Sequence, residues 1–361
     1  MVRFTVLASG SKGNSSIVSC TPGTGGSTRV LVDAGLSCRE LFRRMKQVGE
    51  DPSTLDAILV THEHQDHING LAVTARKLGI PVYFTEATHR AWVRQVTPQK
   101  RITYAEWAQQ YREQKQAAEA ANILSEPSHS ATNGEINLSA EGYGLQPVHN
   151  THATTGALAP EVSLSPAQEI ALQACADLNP PSETVTEAPK PNPAHLPSVS
   201  YFRPGETFSI GDLSISPFTI PHDAADPVGF VFTAEGIRLA IATDLGYMPP
   251  NVQAQLRRCD LIMLESNHDL EMLRDGPYPW SVKQRVLSRV GHLSNAAASA
   301  FLEETYDGTA TYLILAHLSE SNNLPELARL AAERALVSKP NLLANRLYLA
   351  SQDEPLDPVC F

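Results

Sequence analysis

What this 361-residue chain lacks narrows its function before any motif is considered. It has no long apolar run, so neither a signal peptide nor a membrane span is expected. Its five cysteines, Cys20, Cys38, Cys175, Cys259 and Cys360, are scattered, odd in number and without CxxC spacing. That excludes a disulfide scaffold and fits a reducing compartment, so the expected location is cytoplasmic. A long basic stripe is also missing, and the formal net charge is −11. That balance argues at first against a nucleic-acid partner. Residues 115–200, however, carry Lys115 and Lys190 against eight Glu and Asp177, a balance of −7 that leaves the remainder near −4. Divalent cations bound at a site would reverse the local sign, so DNA stays admissible.

What is present is concentrated in one heptapeptide, Thr61-His62-Glu63-His64-Gln65-Asp66-His67, directly after the apolar run Ala57-Ile58-Leu59-Val60. Neutral imidazole and carboxylate are the groups that borderline divalent ions bind. Crowded on one turn without a cation, they would compete for too few partners. Alternate positions in a strand-to-loop transition project to one side, so His62 and His64 form one pair. Asp66 and His67 form another, where the chain enters the apolar-periodic helix expected over Ile68–Leu78. Two adjacent pairs predict two adjacent metals, each needing further ligands from elsewhere.

Other strand ends supply them. The run 213–220 leads to His222, 237–242 to Asp244 and 311–316 to His317, at carboxyl ends where open α/β sheets place their sites. Strands are expected near 2–8, 28–33, 57–61, 81–85, 207–220, 228–233, 237–243, 260–265, 311–317 and 345–350, and helices near 38–48, 67–79, 86–97, 281–290, 295–306 and 324–337. That is too much sheet for one layer, so an α/β fold of two sheets with outer helices is the economical arrangement. From 105 to 200 the composition turns to Ala, Gln, Ser, Thr, Glu and Pro, with Pro180, Pro181, Pro189, Pro191, Pro193 and Pro197 near its end. Such a segment buries little core, and a flexible insertion is expected there, with helical stretches at most over 104–123 and 166–178. Its histidines, His129, His149, His152 and His195, are expected to be solvated. The catalytic domain is then 1–104 with 201–361.

The ordered set HxHxDH at His62–His67, then His222, Asp244 and His317, resembles the signature of the metallo-β-lactamase fold. Val32-Asp33-Ala34-Gly35 and Thr243-Asp244 agree with it. Ser9–Ser15, Pro221–Ala224, Glu265–Asp269, Gly291–Asn295 and His317–Asn323 narrow the resemblance to the YycJ/WalJ-type metallohydrolases, over residues 1 to about 100 and about 200 to 361. The resemblance implies an αββα sandwich and bacterial 5′-to-3′ DNA exonuclease activity associated with repair. It implies two divalent ions, Zn or Mn: one on His62, His64 and His222, the other on Asp66, His67 and His317, with Asp244 bridging and a bridging hydroxide as nucleophile. Asp66 thereby serves catalysis as well as coordination, and Asp33 orients a ligand imidazole.

Three further residues are expected around the metals. His292 stands outside both ligand sets, on a loop before a helix, and histidine is the residue type that donates protons near neutrality, so it is the candidate general acid. His268 follows the strand over 261–264 and is a candidate for lining the cleft. The turn Ser9–Ser15 offers glycines, hydroxyls and Lys12 for a phosphate nest or simply a tight hairpin turn; the resemblance favours substrate contact by Asn14. Two other function classes stay open: a thioester, lactone or lactam hydrolase on the same metals, and a non-catalytic scaffold. Neither partner proteins nor oligomeric state can be read from the sequence.

Overall fold

A computed structural model describes residues 1–23, 26–98, 108–109, 111–113, 115–116, 192–339 and 346–361. Met1–Pro98 and Pro191–Phe361 together form one compact unit. The expected border of the insertion at 200 therefore moves back to about 190. Leu196 is buried in the core, and Ser198–Tyr201 is a strand. Of the expected insertion helices, the described residues between 108 and 116 are helical, while 166–178, His129, His149 and His152 lie outside the described residues. His195 is exposed, as expected.

One sheet holds β1 (Val2–Ala8), β2 (Ser15–Cys20), β3 (Thr28–Val32), β4 (Ala57–Leu59), β5 (Pro81–Phe84), β6 (Ser198–Tyr201) and, on the far side of β1, β14 (Val359–Cys360). The other runs β7 (Phe208–Ile210), β8 (Leu213–Thr219), β9 (Val228–Ala234), β10 (Ile237–Ala242), β11 (Leu261–Glu265), β12 (Tyr312–Ala316) and β13 (Arg346–Leu349) in that order. In each sheet an antiparallel meander passes into parallel strands, β3 to β6 and β10 to β13. Parallel strands need helical crossovers, and those helices cover the outer faces.

Side-chain alternation explains the layering. Val30 and Val32, Leu239 and Ile241, and Leu261 and Met263 enter the core between the sheets. Their neighbours point outward: Leu31 and Ile58 pack under one helical layer, and Ala240, Ile262 and Leu313 under the other. Burial of both faces is why these strands read as continuous apolar runs rather than as alternating ones. The first helical layer is α1 (Cys38–Gln47), α2 (Gln65–Ile68), α3 (Leu71–Leu78) and α4 (Glu86–Val96). The second contains α5 (Pro250–Leu256), α8 (Asn295–Ala300, continued by a π-helical turn over Phe301–Thr305) and α9 (Pro325–Leu336); α6 (Leu270–Asp275) and α7 (Trp280–Val286) precede α8. The result is the expected αββα sandwich. No helix among the described residues is long and apolar enough to cross a membrane.

Two expectations change in detail. The single strand expected over 207–220 is a hairpin, β7 and β8, turning at Gly211 with φ 50° and Asp212. The helix expected over 67–79 is interrupted at Asn69-Gly70. A Cβ on Gly70 would lie 2.0 Å from the Leu36 carbonyl oxygen, so the loop carrying Asp33 closes against α2 only because that side chain is absent.

Candidate metal centre

Strands of both sheets end at one rim, and their carboxyl ends bring the predicted ligands together. Asp33 follows β3, His62–His67 follow β4, and His222 follows β8. Asp244 follows β10 and His317 follows β12. His62, His64 and His222 form one group whose ligand atoms lie within 4.8 Å of one another; Asp66, His67 and His317 form a second, and His62, His67 and Asp244 connect them. All seven predicted ligands thus converge. Asp33, Asp244 and His317 have φ of 59°, 62° and 56°, left-handed conformations that non-glycine residues rarely adopt. Strain at three residues of one constellation marks a functional site.

Backbone carbonyls and carboxylates fix the tautomers, because these acceptors require the facing ring nitrogen to carry the proton. His222 Nδ1 donates to the Gly291 carbonyl (3.1 Å) and His64 Nε2 to the Asp223 carbonyl (3.2 Å). Their remaining lone pairs, His222 Nε2 and His64 Nδ1, face each other at 3.1 Å with no hydrogen between them. His67 Nδ1 donates to Asp33 Oδ2 (2.8 Å), leaving its Nε2 3.5 Å from both Asp66 Oδ2 and Asp244 Oδ2. His317 Nδ1 donates to Glu265 Oε1 (2.9 Å), leaving its Nε2 3.5 Å from Asp66 Oδ2.

Among the described residues, His62 Nε2 and Asp244 Oδ2 are buried without a hydrogen-bond partner. Orphaned acceptors of this kind are costly unless a cation meets them. The donor set therefore fits divalent ions.

With no cation to balance them, the carboxylates favour protons on two of these imidazoles, protons that a bound ion would displace. Burial opposes charging of His67 and His317, yet Asp244 together with Asp66 holds both imidazoles well above their usual range, assisted by Asp33 and Glu265 respectively. Burial also opposes ionisation of Asp66, Asp244 and Glu265, and the neighbouring imidazoles nevertheless hold all three carboxyls below theirs. His62 is pushed well below its usual range by burial and by three neighbouring imidazoles. Burial pushes the Asp33 carboxyl up, although His67 and Thr61 oppose it. We favour the carboxylate form: Thr61 N–H donates to Oδ1, while the Thr61 hydroxyl and His67 Nδ1 donate to Oδ2.

A cleft of about 360 Å³ opens over this centre, lined by Asp66, Asp244, His292, Asn267, Tyr278 and Arg285 among others. His292 is in it, its Nδ1 2.8 Å from Glu265 Oε1 and 3.9 Å from Asp244 Oδ1. Glu265 was not singled out in the sequence. It is fully buried, its Oε1 holds both His292 and His317, and its Oε2 accepts the Leu245 and Leu293 amides. Thr61 is a second such residue, accepting from His62 Nδ1 while donating to Asp33.

Two expectations need correction. His268 does not line the cleft: it is 1% exposed, packed behind the rim, and burial lowers its imidazole to about 4; Asn267 faces the cleft instead. Asn14 is 6% exposed, and its amide donates to Asp66 Oδ2 (3.0 Å) and to the Gly10 carbonyl, while accepting from the Gly10 amide. It holds the candidate ligand Asp66 and is not among the residues lining the cleft. The turn Ser9–Ser15 does join two antiparallel strands, and Lys12 at its tip pairs with Glu320.

Comparison with known proteins agrees with this geometry. Residues 10–119 match the metallo-beta-lactamase superfamily, and residues 164–318 match the beta-lactamase superfamily domain. Exodeoxyribonuclease YycJ of Bacillus anthracis is 29% identical over 342 residues, covering 94% of this chain and 90% of its own. Exodeoxyribonuclease WalJ of Streptococcus pneumoniae is 28% identical over 328 residues, covering 91% and 86%. In fold, the metallo-beta-lactamase fold protein YhfI of Bacillus subtilis aligns over 98% of both chains with a TM-score of 0.53 at 12% identity. Zn(2+)-bound PqqB of Methylobacterium extorquens aligns over 98% of this chain and 99% of its own, with a TM-score of 0.52 at 14% identity. With its fold, its rim of ligands and these similarities, the chain belongs to the metallo-β-lactamase superfamily, and over nearly its whole length it resembles the YycJ/WalJ-type exodeoxyribonucleases.

Proposed function

We propose that this protein is a two-metal phosphodiesterase that degrades DNA exonucleolytically in the 5′-to-3′ direction. His62, His64 and His222 would hold one divalent cation and Asp66, His67 and His317 the other, with Asp244 shared; zinc and manganese both suit this donor set. Bound there, such ions supply Lewis acidity toward a phosphoryl oxygen and generate a hydroxide nucleophile near neutral pH.

The observation that carries the reading is the Glu265–His292 pair beside the ligand rim. Departure of a deoxyribose alkoxide requires a proton, whereas a thioester expels a thiolate that leaves without one and places less demand on a positioned acid. His292 Nδ1 donates to Glu265 Oε1, so Nε2 is left as the nitrogen that serves the substrate. Asn14 and Asp33 keep Asp66 and His67 in place. Relatives named exodeoxyribonucleases along nearly the full length support DNA over other phosphodiesters.

A second reading, hydrolysis of a small thioester, lactone or lactam, is favoured by the cleft volume of about 360 Å³, which lies within the range of small-ligand sites. Metal-loaded protein incubated with 5′-end-labelled single-stranded and duplex DNA, beside thioester, lactone and lactam substrates, separates the two. Labelled mononucleotide released before any shortened intermediates supports the 5′-to-3′ exonuclease. Turnover of a small substrate with DNA left intact refutes it.

A further inference from the structure

Outside the metal rim, the described surface carries a second depression, about 480 Å³, between α1 and α3. It is lined by Cys38, Arg39, Phe42, Arg43, Lys46, Val73 and Lys77, without a carboxylate among them. Arg39, Arg43 and Lys46 stand at i, i+4 and i+7, and therefore share one face of α1. Across α1 and α3 there are six cations against Glu40 alone, a balance of +5 in a chain whose total is −11. Arg43 and Arg44 are tied to Glu40. The side chains of Arg39 and Lys46, by contrast, form no hydrogen bond or ion pair among the described residues, and Lys77 lies over the Phe42 ring at 4.9 Å. Val73 is 52% exposed on the opposite wall.

We propose that this groove binds the phosphodiester backbone of the nucleic-acid substrate away from the scissile bond; this rests on the nuclease reading above. Charge complementarity identifies the occupant. A cationic groove in an acidic protein favours a polyanion, and a half-buried aromatic with an aliphatic wall beside the cations suits stacked bases and sugars. Position agrees with it. Both helices leave the ligand loops: the near end of the groove, at Arg39 and Val73, is six residues from Asp33 and six from His67. Those loops are joined directly, Ala34 N–H donating to the His67 carbonyl and Gly70 N–H to the Ala34 carbonyl. From Arg39 to Lys46 the face extends about 10 Å, enough for about three nucleotides at roughly 3.4 Å each.

The test is fluorescence anisotropy of metal-loaded protein with a labelled phosphorothioate DNA strand longer than the groove, titrated between about 50 and 200 mM salt. The triple variant Arg39→Gln, Lys46→Gln and Lys77→Gln should lose roughly tenfold or more in affinity, with a salt slope shallower by about two, because each lost phosphate contact removes about 0.7 to 0.9 from the slope. Metal content and melting temperature should be unchanged. The charge-preserving variant Arg39→Lys, Lys46→Arg and Lys77→Arg should bind like the wild type. An unchanged slope in the Gln variant, or equal loss in the charge-preserving one, overturns the groove while leaving the nuclease reading intact. A wild type that hydrolyses no DNA overturns both, and one that captures an acidic peptide on this face but no DNA assigns the groove to a protein instead.

Discussion

At the scale of single residues, the ligands are legible because few residue types bind borderline cations and each stands at the end of an apolar strand. Glu265 closes such a strand too, but nothing local sets it apart. Its role depends on His292 and His317, which lie 27 and 52 residues away and meet on one oxygen only after folding. His268 misled for the reciprocal reason: its position after β11 is that of a site residue, but its ring turns inward. The residue-scale prediction concerns His292. His292→Ala should keep both metals while DNA cleavage falls by about two to four orders of magnitude. The loss should shrink for a nitrophenyl phosphodiester, whose leaving group needs no proton. Glu265→Gln should reproduce part of that defect, since an amide holds the His292 Nδ1–H less firmly than a carboxylate does. Equal losses on both substrates in steady-state kinetics would remove His292 from proton transfer.

At the scale of elements, strands buried on both faces announced themselves, whereas three others did not. β2 is entirely buried, yet Ser15, Ser16 and Ser19 break its apolar pattern, so its burial is decided by its neighbours. β6 sits after the proline-rich stretch and pairs with β5 more than a hundred residues earlier; β14 has two residues. Helix α1 shows how an element is tied to the rest. Arg44 is buried, donating to the carbonyls of Leu7 and Gln352 and to Glu40, which also takes Arg43. Hydrogen bonds from Arg43 and Arg44 lower the Glu40 carboxyl from 4.5 to about 2.

A depressed carboxyl stabilises the fold above its unfolded value and loses that contribution as pH falls through the folded one. Wild type should therefore exceed Glu40→Gln in unfolding free energy above pH 4.5, with the difference closing toward pH 2. Taking the difference cancels the titrations both proteins share. Chemical denaturation across that range reads it directly, and a difference independent of pH would remove the ion pair from the account.

At the scale of the molecule, the sandwich was legible in the number of buried strands, whereas the strand Ser198–Tyr201 lies inside the stretch whose composition reads as an insertion. Met1–Pro98 and Pro191–Phe361 contain the hydrophobic clusters of both sheet faces as well as every candidate ligand. Replacing residues 99–190 with a short Gly/Ser joint should leave folding and metal content in place, because loop length changes closure entropy only slowly. Insolubility or loss of metal would show that the segment completes the core.

The central claim is a pair of cations sharing Asp244, and elemental analysis of purified protein dialysed from saturating zinc or manganese tests it most directly. The geometry predicts two ions per chain in the wild type and weakened retention at both positions in Asp244→Ala, because that carboxylate faces Nε2 of His222 in one set and of His67 in the other. One ion in the wild type, or two tightly held ions in the variant, would contradict it.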